Sequence, residues 1–599
     1  MSFYSDASLV MIPSGYKTSK VYCAVPTDGA ADLSFSRSND TATRVGPDGL
    51  IEKVRTNLVP NGLLFVSSTG VDYTTITIDS PISGVSSTSI TKNEAAGTLR
   101  YGIQTCSIPT IASNTTHTIS RFFKYDGVNT TTSLESNDGG QWSGTFIQNI
   151  NIASTGVTLG APSGCTSKIT NVGSGWYRVD VTIAVGTVTV GGPVTYLLQV
   201  ASALSTGQGF LTAAPQLETG DIATDYILTT SGAVSVGPVA NVPRLDYLGS
   251  SCPRLLLEPQ RTNIITYSES FDNAVWTKTS IAVTANATTS PDGYDNADLF
   301  TTNAPAGTVY RAYHNSTGGT DATNTISGFF KYGNHPYAYI TADYSGLGNF
   351  AIFNVQTGVV TFTSTGYTST ITDYGNGWYR CTLTGTMDSN NNVQFGLSVS
   401  ATAYAGTSLA NGKTLYVWGA QREYNVSYAS SYVNTLGAAV TRGADAALKT
   451  SISSLIGQDE GTIFVEFEYN YSDSTTQVLF KANQTTDANS VGIEVQNTTI
   501  KGLVNSAGGN IATITGTIAT GTIKAALAYK TNDMAFYVNG TQVGVDTSGS
   551  IAFAGVVDIL TIGQFLLNGG TFFPASRPFN QALVFKTRLS NSDLAALTA

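Results

Sequence analysis

The chain has 599 residues, only 12% of which are charged, and its formal net charge is −10. Its 30 Lys and Arg residues form no cluster, which argues against a nucleic-acid partner because a phosphate backbone would find little to neutralise. No stretch approaches the ~20 apolar residues of a membrane span, so membrane insertion is not expected. The many Gly, Thr, Ser, Asn and Val residues favour short strands and tight turns over helices.

Residues 1–57 are predicted to be an N-terminal attachment segment. Two strand-like pieces, 8–12 (SLVMI) and 32–35 (DLSF), are separated by Pro, Gly and Asp residues. A segment of this length is too small to bury a core alone. It ends in Arg-Thr-Asn at 55–57, and the same three residues return at 261–263.

Residues 58–232 are predicted to form the first carbohydrate-binding-module-like β-sandwich. Residues 118–125 read TISRFFKY, and residues 173–178 read GSGWYR. Apolar and polar side chains alternate from Trp176 to Val185. Successive side chains of a strand point to opposite faces, so this alternation predicts an antiparallel strand with one core face and one wet face.

The same pattern returns in residues 260–440, which are predicted to form a second sandwich of the same kind. Residues 325–332 read TISGFFKY, and residues 375–380 read GNGWYR. Ala-Gly-Thr also occurs once in each copy, at 96–98 and 306–308. The repetition indicates an internal duplication, with residues 233–259 as the linker between the copies.

Each copy carries a Trp and an Arg on the side of the strand opposite the core, Trp176 with Arg178 and Trp378 with Arg380. An exposed indole matches the C–H face of a pyranose ring, and a guanidinium can bind sugar hydroxyls, so these are candidate carbohydrate-binding residues. The alternative is that each Trp packs beneath an adjoining loop with the Arg stacked on it. Retention of the pair while the loops differ favours this structural alternative. The remaining tryptophans are predicted to be core or loop anchors: Trp142, Trp276 and Trp418.

Residues 441–599 show a different pattern. Residues 462–469 (TIFVEFEY) alternate as a half-buried strand. Asn539 and Gly540 lie between two apolar alternations, and both accept positive φ, which predicts a hairpin. Residues 591–597 (NSDLAAL) are predicted to form a short capped helix at the end.

Several of these stretches resemble one family of proteins. Residues 1–57, 243–247 (PRLDY), 256–263 (LLEPQRTN) and the two Gly-Trp-Tyr-Arg units are similar to tailed-bacteriophage virion proteins that carry tandem carbohydrate-binding-module-like jelly rolls. The resemblance implies a fibre, spike or decoration protein that contacts other virion proteins through its N-terminal segment. It also implies a homo-oligomer, by default a trimer. The last unit resembles the laminin-G-like branch of the concanavalin A-like domains.

Reactive groups are sparse. Glu466 and Glu468 are the best carboxylate pair for a glycosidase, but two outward Glu residues on one strand are usually a solvated face. The three histidines lie in no triad-like motif, and the five cysteines support neither a disulfide framework nor a zinc site. The acidic loop residues of the last unit lack the ligand density of a calcium site. No cofactor, metal site or enzymatic activity is predicted.

The fold expected from these features is all-β: tandem antiparallel β-sandwiches, two jelly rolls followed by a concanavalin A-like or laminin-G-like sandwich. The leading hypothesis is a bacteriophage virion appendage, assembled in the host cytoplasm, that adheres to cell-surface polysaccharide through several weak sites. One alternative is a non-binding decoration protein of capsid or tail. Extensive burial of the N-terminal segment, residues 1–57, called here the leader, would favour this alternative. A less favoured alternative is a glycan depolymerase, which needs paired carboxylates in a cleft.

Overall fold

The structure is a computed structural model, and it describes residues 3–60, 66–67, 71–76, 79–93, 100–106, 116–136, 146–184, 194–201, 203–304, 309–316, 322–342, 349–387, 392–567, 570–572 and 575–599. The chain divides into two compact units, Val54–Gly237 and the combination of Met1–Lys53 with Pro238–Ala599. All strand pairings in the described residues are antiparallel, and the predicted all-β fold class is confirmed. Neither helix in these ranges, Phe3–Asp6 (α1) or Asn591–Thr598 (α2), is long and apolar enough to cross a membrane.

The strands at the start of the chain are short. They are β1 Leu9–Met11, β2 Tyr16–Lys17, β3 Lys20–Val21, β4 Leu33–Ser36, β5 Thr43–Val45, β6 Ile51–Lys53 and β7 Arg55–Asn57. Strands β5 and β6 pair as a hairpin. The turn between them has Gly49 at φ 80°, a conformation that glycine adopts without strain.

The unit Val54–Gly237 contains the first sandwich. Its remaining strands are β8 Val66–Ser67, β9 Val71–Ile76, β10 Ser87–Lys92, β11 Arg100–Cys106, β12 Thr116–Tyr125, β13 Thr130–Ser136, β14 Ile147–Ala153, β15 Gly156–Leu159, β16 Thr166–Gly173, β17 Trp176–Ala184, β18 Val194–Val200, β19 Gly209–Thr219 and β20 Val234–Val236. One sheet has the order β16-β17-β12-β19-β10-β9, and the other has the order β15-β14-β13-β18-β11-β8. Apolar residues from both sheets, including Phe123, Val179 and Leu134, form the core between them.

The second sandwich belongs to the other unit. Two linker strands, β21 Arg244–Asp246 and β22 Arg254–Leu257, precede β23 Arg261–Asn263, β24 Trp276–Thr279, β25 Ile281–Thr288, β26 Ala297–Thr302, β27 Tyr310–His314, β28 Ala322–Tyr332, β29 Tyr337–Thr341, β30 Phe350–Asn354, β31 Val359–Thr363, β32 Thr368–Asp373, β33 Trp378–Met387, β34 Val393–Leu397, β35 Thr414–Tyr424 and β36 Val440–Arg442. Its sheets have the orders β32-β33-β28-β35-β26-β25 and β31-β30-β29-β34-β27-β24. Position for position, these are the strand orders of the first sandwich, so the internal duplication of the sequence has a structural counterpart.

The duplication extends to single hydrogen bonds. Asn263 is fully buried, its amide nitrogen donates to the carbonyls of Ala420 and Val433, and its amide oxygen accepts from the backbone N–H of Ile265. Asn57 makes the corresponding set of bonds in the first sandwich. The Asn of the repeated Arg-Thr-Asn therefore satisfies buried backbone groups where the chain enters each sandwich.

The C-terminal sandwich is built from β37 Ala446–Thr450, β38 Glu460–Tyr469, β39 Gln477–Asn483, β40 Ser490–Gln496, β41 Thr499–Ser506, β42 Gly509–Thr517, β43 Gly521–Lys530, β44 Met534–Val538, β45 Thr541–Asp546, β46 Ile559–Ile562, β47 Phe565–Leu567, β48 Gly570–Phe572 and β49 Arg577–Phe585. One sheet has the order β21-β22-β49-β38-β43-β44-β45, with β1 also paired to β49. The other has the order β2-β3-β4-β37-β46-β39-β40-β41-β42. The leader thus contributes strands to both sheets, and the linker contributes two strands to the first.

The leader is part of the C-terminal sandwich and is not a segment separate from the sandwiches. Leu9, Met11, Leu33 and Phe35 of the leader lie in the C-terminal core and are at most 2% exposed. The leader is too short to bury these side chains by itself, and the C-terminal sheets offer edges that its strands complete.

The local predictions for the last unit are confirmed. Ile463, Val465 and Phe467 point inward from β38, and Val538 pairs with Thr541 around the Asn539-Gly540 turn. The hydroxyl of Ser590 accepts the N–H of Asp593, at 3.2 Å, which caps helix α2.

Candidate functional site

The two tryptophans predicted to bind carbohydrate lie on the face opposite the main core, but other segments of the chain cover them. Trp176 and Trp378 are each 1% exposed. The indole N–H of Trp176 donates to Asp79 at 3.0 Å, and that of Trp378 donates to the carbonyl of Thr289 at 3.0 Å. Both contacts come from segments distant in sequence that lie over the strand.

Arg178 and Arg380 hold a loop in place in each copy. Each guanidinium donates to the serine of the Thr-Ile-Ser segment and to a loop carbonyl; the acceptors are Ser120 and Thr224 for Arg178, and Ser327 and Ser430 for Arg380. The guanidinium of Arg178 lies over Phe122 at 5.7 Å, while the cation over Trp176 is Lys124, at 5.9 Å. The expected Arg-on-Trp stack is therefore replaced by a Lys-on-Trp contact.

The expectation of a wet face is wrong for β33, whose Trp378 and Arg380 are buried, while on β17 Trp176 is buried but Arg178 and Asp180 are partly exposed. In the second copy the leader hairpin supplies Val45 and Ile51, which pack with Trp378 in a second hydrophobic cluster. Neither Trp176 nor Trp378 presents a ring face to solvent, so sugar stacking on these rings has no surface to use in this structure. Trp276 and Trp418 are also buried, as predicted, and Trp142 lies outside the described residues.

A different surface of the second sandwich combines aromatic and polar side chains. It is the side of the sheet β24-β27-β34-β29-β30-β31 that points away from the sandwich core, called here the outer face. Because side chains alternate along each strand, its described residues follow from the register. They are Thr277, Thr279, Arg311, Tyr313, Tyr337, Tyr339, Thr341, Phe350, Ile352, Asn354, Val359, Phe362, Gln394 and Gly396.

The polar half of the outer face is centred on Arg311. A terminal nitrogen of Arg311, Nη1, donates to Oε1 of Gln394 at 2.7 Å. The guanidinium carbon lies 5.0 Å from the ring centre of Tyr313 on the same strand. Arg311 and Tyr313 are both partly exposed, so this half is open to a ligand.

Tyr339 lies beside Arg311 across the position of a glycine. Gly396 pairs with Arg311 on one side and with Tyr339 on the other. A Cβ atom on residue 396 would lie 2.7 Å from the Tyr339 ring, so only glycine allows the ring to lie there. Tyr339 is fully buried, yet its hydroxyl has no hydrogen-bond partner in the described chain. Burial raises the pKa of this hydroxyl, which therefore stays protonated.

The aromatic half of the outer face is a stack of rings. Phe350 and Phe362 stack with 4.7 Å between their ring centres. Tyr404, from the turn-rich segment after β34, lies 4.8 Å from Tyr339 and 4.7 Å from Phe350, again between ring centres. Phe350 and Phe362 are only partly buried, so some aromatic surface stays accessible.

A buried ionic junction is the largest polar feature that the sequence patterns missed. Arg244 binds Glu258 at 2.7 Å and also contacts Asp445, while Arg37 binds Asp445 at 3.0 Å and Arg442 binds Glu258 at 2.8 Å. Burial alone raises the pKa of Glu258, but Arg442 and Arg244 outweigh it and hold that pKa well below its usual range. The sequence did contain a signal for this junction. The chain has few charged residues, yet some of them lie within short apolar segments.

Amide side chains bind the two carboxylates considered above. Asn580 donates to both Glu466 and Glu468, at 3.1 Å in each case, and Gln581 donates to Glu466 at 2.6 Å. Within the ranges that the structure covers, no group of three or more His, Cys, Asp or Glu residues is placed to hold a metal ion.

Comparison with known proteins gives distant likenesses. No protein-family model matches the chain, and no curated protein matches it. Solved structures similar to parts of it include a sialidase module, Ruminococcus gnavus IT-sialidase CBM40 bound to α2,3-sialyllactose, at 16% identity over 25% of this chain and 92% of that one, with a TM-score of 0.23. The CBM22-1-CBM22-2 tandem domain of Paenibacillus barcinonensis Xyn10C is 11% identical over 61% of this chain and 96% of that one, with a TM-score of 0.21.

The Streptococcus pneumoniae NanB sialidase in complex with 2-[(3-chlorobenzyl)ammonio]ethanesulfonate is 17% identical over 25% of this chain, with a TM-score of 0.23. The match spans only 26% of that enzyme. TM-scores of this size carry no argument about function, and the fold rests on the strand pairing described above.

Proposed function

We propose that the chain is a glycan-binding appendage of a tailed-phage particle and that the outer face of the second sandwich is a sugar site. One arrangement supports the sugar site. Arg311, which donates to Gln394, lies beside Tyr339, whose buried hydroxyl has no hydrogen-bond partner. A buried polar atom without a partner is costly, and a bound ligand oxygen removes that cost.

The chemistry of the surface suits a sugar ring. A pyranose has an apolar C–H face and a polar edge of oxygens, so it needs an aromatic surface beside hydrogen-bonding groups. Tyr313 and Phe350 supply accessible ring surface, and Arg311 supplies donors on the same face. The phage part of the proposal is supported by the sequence resemblance of the leader, the linker and the two Gly-Trp-Tyr-Arg units.

Several chains on one particle would multiply weak sites. The resemblance makes a homotrimer the expected assembly, and linked sites gain apparent affinity through effective concentration. Light scattering of the purified chain measures this directly, because a trimer has three times the chain's mass.

A glycan array with the full chain tests the sugar site. We expect binding that Tyr313→Ala and Tyr339→Phe each weaken about tenfold, since each removes ring surface or a hydroxyl from the site. Tyr332→Ala is the matched control, because Tyr332 is a 37% exposed tyrosine on the other sheet of the same sandwich. Equal binding by all variants would place the sugar site elsewhere, and no binding by the wild-type chain would remove the proposal.

A structural decoration role is the second candidate. It is favoured by the leader, whose strands lie within the C-terminal sandwich, so that this segment is not a free arm for attachment. In this role the protein covers a particle surface and binds no glycan. Capsids or tails assembled without the chain would then lose stability to heat or dilution and keep their adsorption rate to host cells, whereas an adhesin would show the reverse.

A further inference from the structure

We infer that the outer-face site takes a sugar that carries a carboxylate, with Arg311 binding the acid group. This inference rests on the proposed glycan-binding function and specifies the chemical class of the ligand. It is carried by the charge and the hydrogen-bonding groups at Arg311 and Tyr339.

The charge of Arg311 is not balanced by the protein. In the described part of the chain no carboxylate lies within ion-pair distance of Arg311, and it is the only charged side chain among the outer-face residues. Its Nη1 already serves Gln394, while its Nε is buried and has no acceptor. The guanidinium is a planar fork that matches a carboxylate.

Both unused groups at this site can donate a hydrogen bond. Arg311 Nε can only donate, and the protonated Tyr339 hydroxyl can donate as well as accept. The Gln394 oxygen already accepts from Arg311. A carboxylate can accept from both donors and also balances the charge of Arg311, whereas a neutral sugar hydroxyl leaves that charge unbalanced.

The sequence of the first sandwich has other residues at the corresponding positions. Counting from the shared Ala-Gly-Thr, Tyr101 occupies the position of Arg311, and it pairs with Gln199 where Arg311 pairs with Gly396. Neither of these replacements carries a charge. The acid-binding role is therefore assigned to the second sandwich.

The test measures binding of the full chain to matched pairs of oligosaccharides. Each pair contains a glucuronate, galacturonate or N-acetylneuraminate residue as the free acid and as its methyl ester, which removes the charge and keeps the sugar. Calorimetric titration is run with the wild type, Arg311→Gln and the control Lys413→Gln, which removes one positive charge from the same sandwich. Thermal unfolding verifies that the variants are folded.

We expect at least one acid to bind about tenfold or more tightly than its ester, because hydrogen bonds to a charged group contribute strongly. Arg311→Gln should bind acid and ester alike, and Lys413→Gln should keep the preference. Equal binding of acid and ester by the wild type would overturn the carboxylate inference and leave the sugar site intact. The same holds if only neutral glycans of the array bind. Absence of binding to every acid, ester and array glycan would overturn both.

Discussion

The polar residues repeated in the two sandwiches act on the fold. Arg178 and Arg380 occupy the same position, and each ties a strand serine to a loop carbonyl. Because the acceptor in each loop is a backbone carbonyl, the loops can differ in sequence while the arginine is kept. Retention of the arginine in both copies is thus explained by structure, whereas Arg311 is present in one copy only and holds no loop carbonyl among the described residues.

The buried His314 is expected to make the stability of the second sandwich sensitive to acid. Burial, with a smaller effect of Arg422, lowers the pKa of its imidazole from 6.5 to about 4. The folded state therefore binds a proton less readily than the unfolded state, so stability is lost as the pH falls from 6.5 towards 4. The full effect of this one group is about 3 kcal/mol. Urea unfolding across this pH range should show that loss in the wild type relative to His314→Gln.

Comparison with the variant isolates the histidine from groups of opposite sign. Burial raises the pKa of Asp298, in the same sandwich, to about 7, and that group adds stability as the pH falls. Asp298 is present in both proteins, so its effect cancels in the difference. A difference that stays constant from pH 7 to pH 4 would show that His314 titrates normally in the folded protein.

The strand elements were largely predictable, because a strand's alternation is local. The pattern of residues 462–469, the Asn539-Gly540 turn and the capped end all appear as expected. What the alternation does not show is which distant segment covers a polar face, as the leader covers Trp378. The outer-face site was missed for the same reason: Arg311, Tyr339 and Gln394 lie on three strands and meet only through register.

The strand β1 predicts that the leader stabilises the C-terminal sandwich. Leu9 is fully buried there, and its strand pairs with β49. Leu9→Ala should leave a cavity and lower the free energy of unfolding by about 3 kcal/mol. Denaturant unfolding of the full chain, monitored by tyrosine fluorescence, gives this value.

A substitution elsewhere in the leader serves as the comparison. Tyr22 is 38% exposed, and Tyr22→Ala should change the free energy of unfolding by well under about 1 kcal/mol. If Leu9→Ala were equally harmless, the leader would not be part of the C-terminal core in solution.

At the scale of the larger unit, buried contacts join the leader, the linker and two sandwiches. Tyr428 of the second sandwich stacks on Tyr471 of the C-terminal sandwich, with 3.9 Å between ring centres. Arg261 lies over one of these rings and Arg577 over the other. Lys53 of the leader binds Glu269 of the second sandwich at 2.9 Å. These contacts predict that the second and C-terminal sandwiches unfold together.

The ionic junction provides the sharpest test of that coupling. Arg244 is fully buried, and its two carboxylate partners lie on different segments, Glu258 in the linker and Asp445 before β37. Arg244→Met keeps an apolar side chain of similar length but leaves both carboxylates short of a partner. Glu258 keeps Arg442 and Asp445 keeps Arg37, but each carboxylate loses its charged hydrogen bond from Arg244, at a cost of about 1.5–3 kcal/mol per bond.

Calorimetry of the full chain should show this loss as a split transition, with the C-terminal sandwich unfolding at a lower temperature than the second sandwich. Arg254→Met is the matched control, since Arg254 is partly exposed on the neighbouring strand β22 and forms no ion pair among the described residues. Equal effects of the two substitutions would mean that the junction is not dry in solution. In that case water screens the charges, and the stacked tyrosines alone would couple the sandwiches.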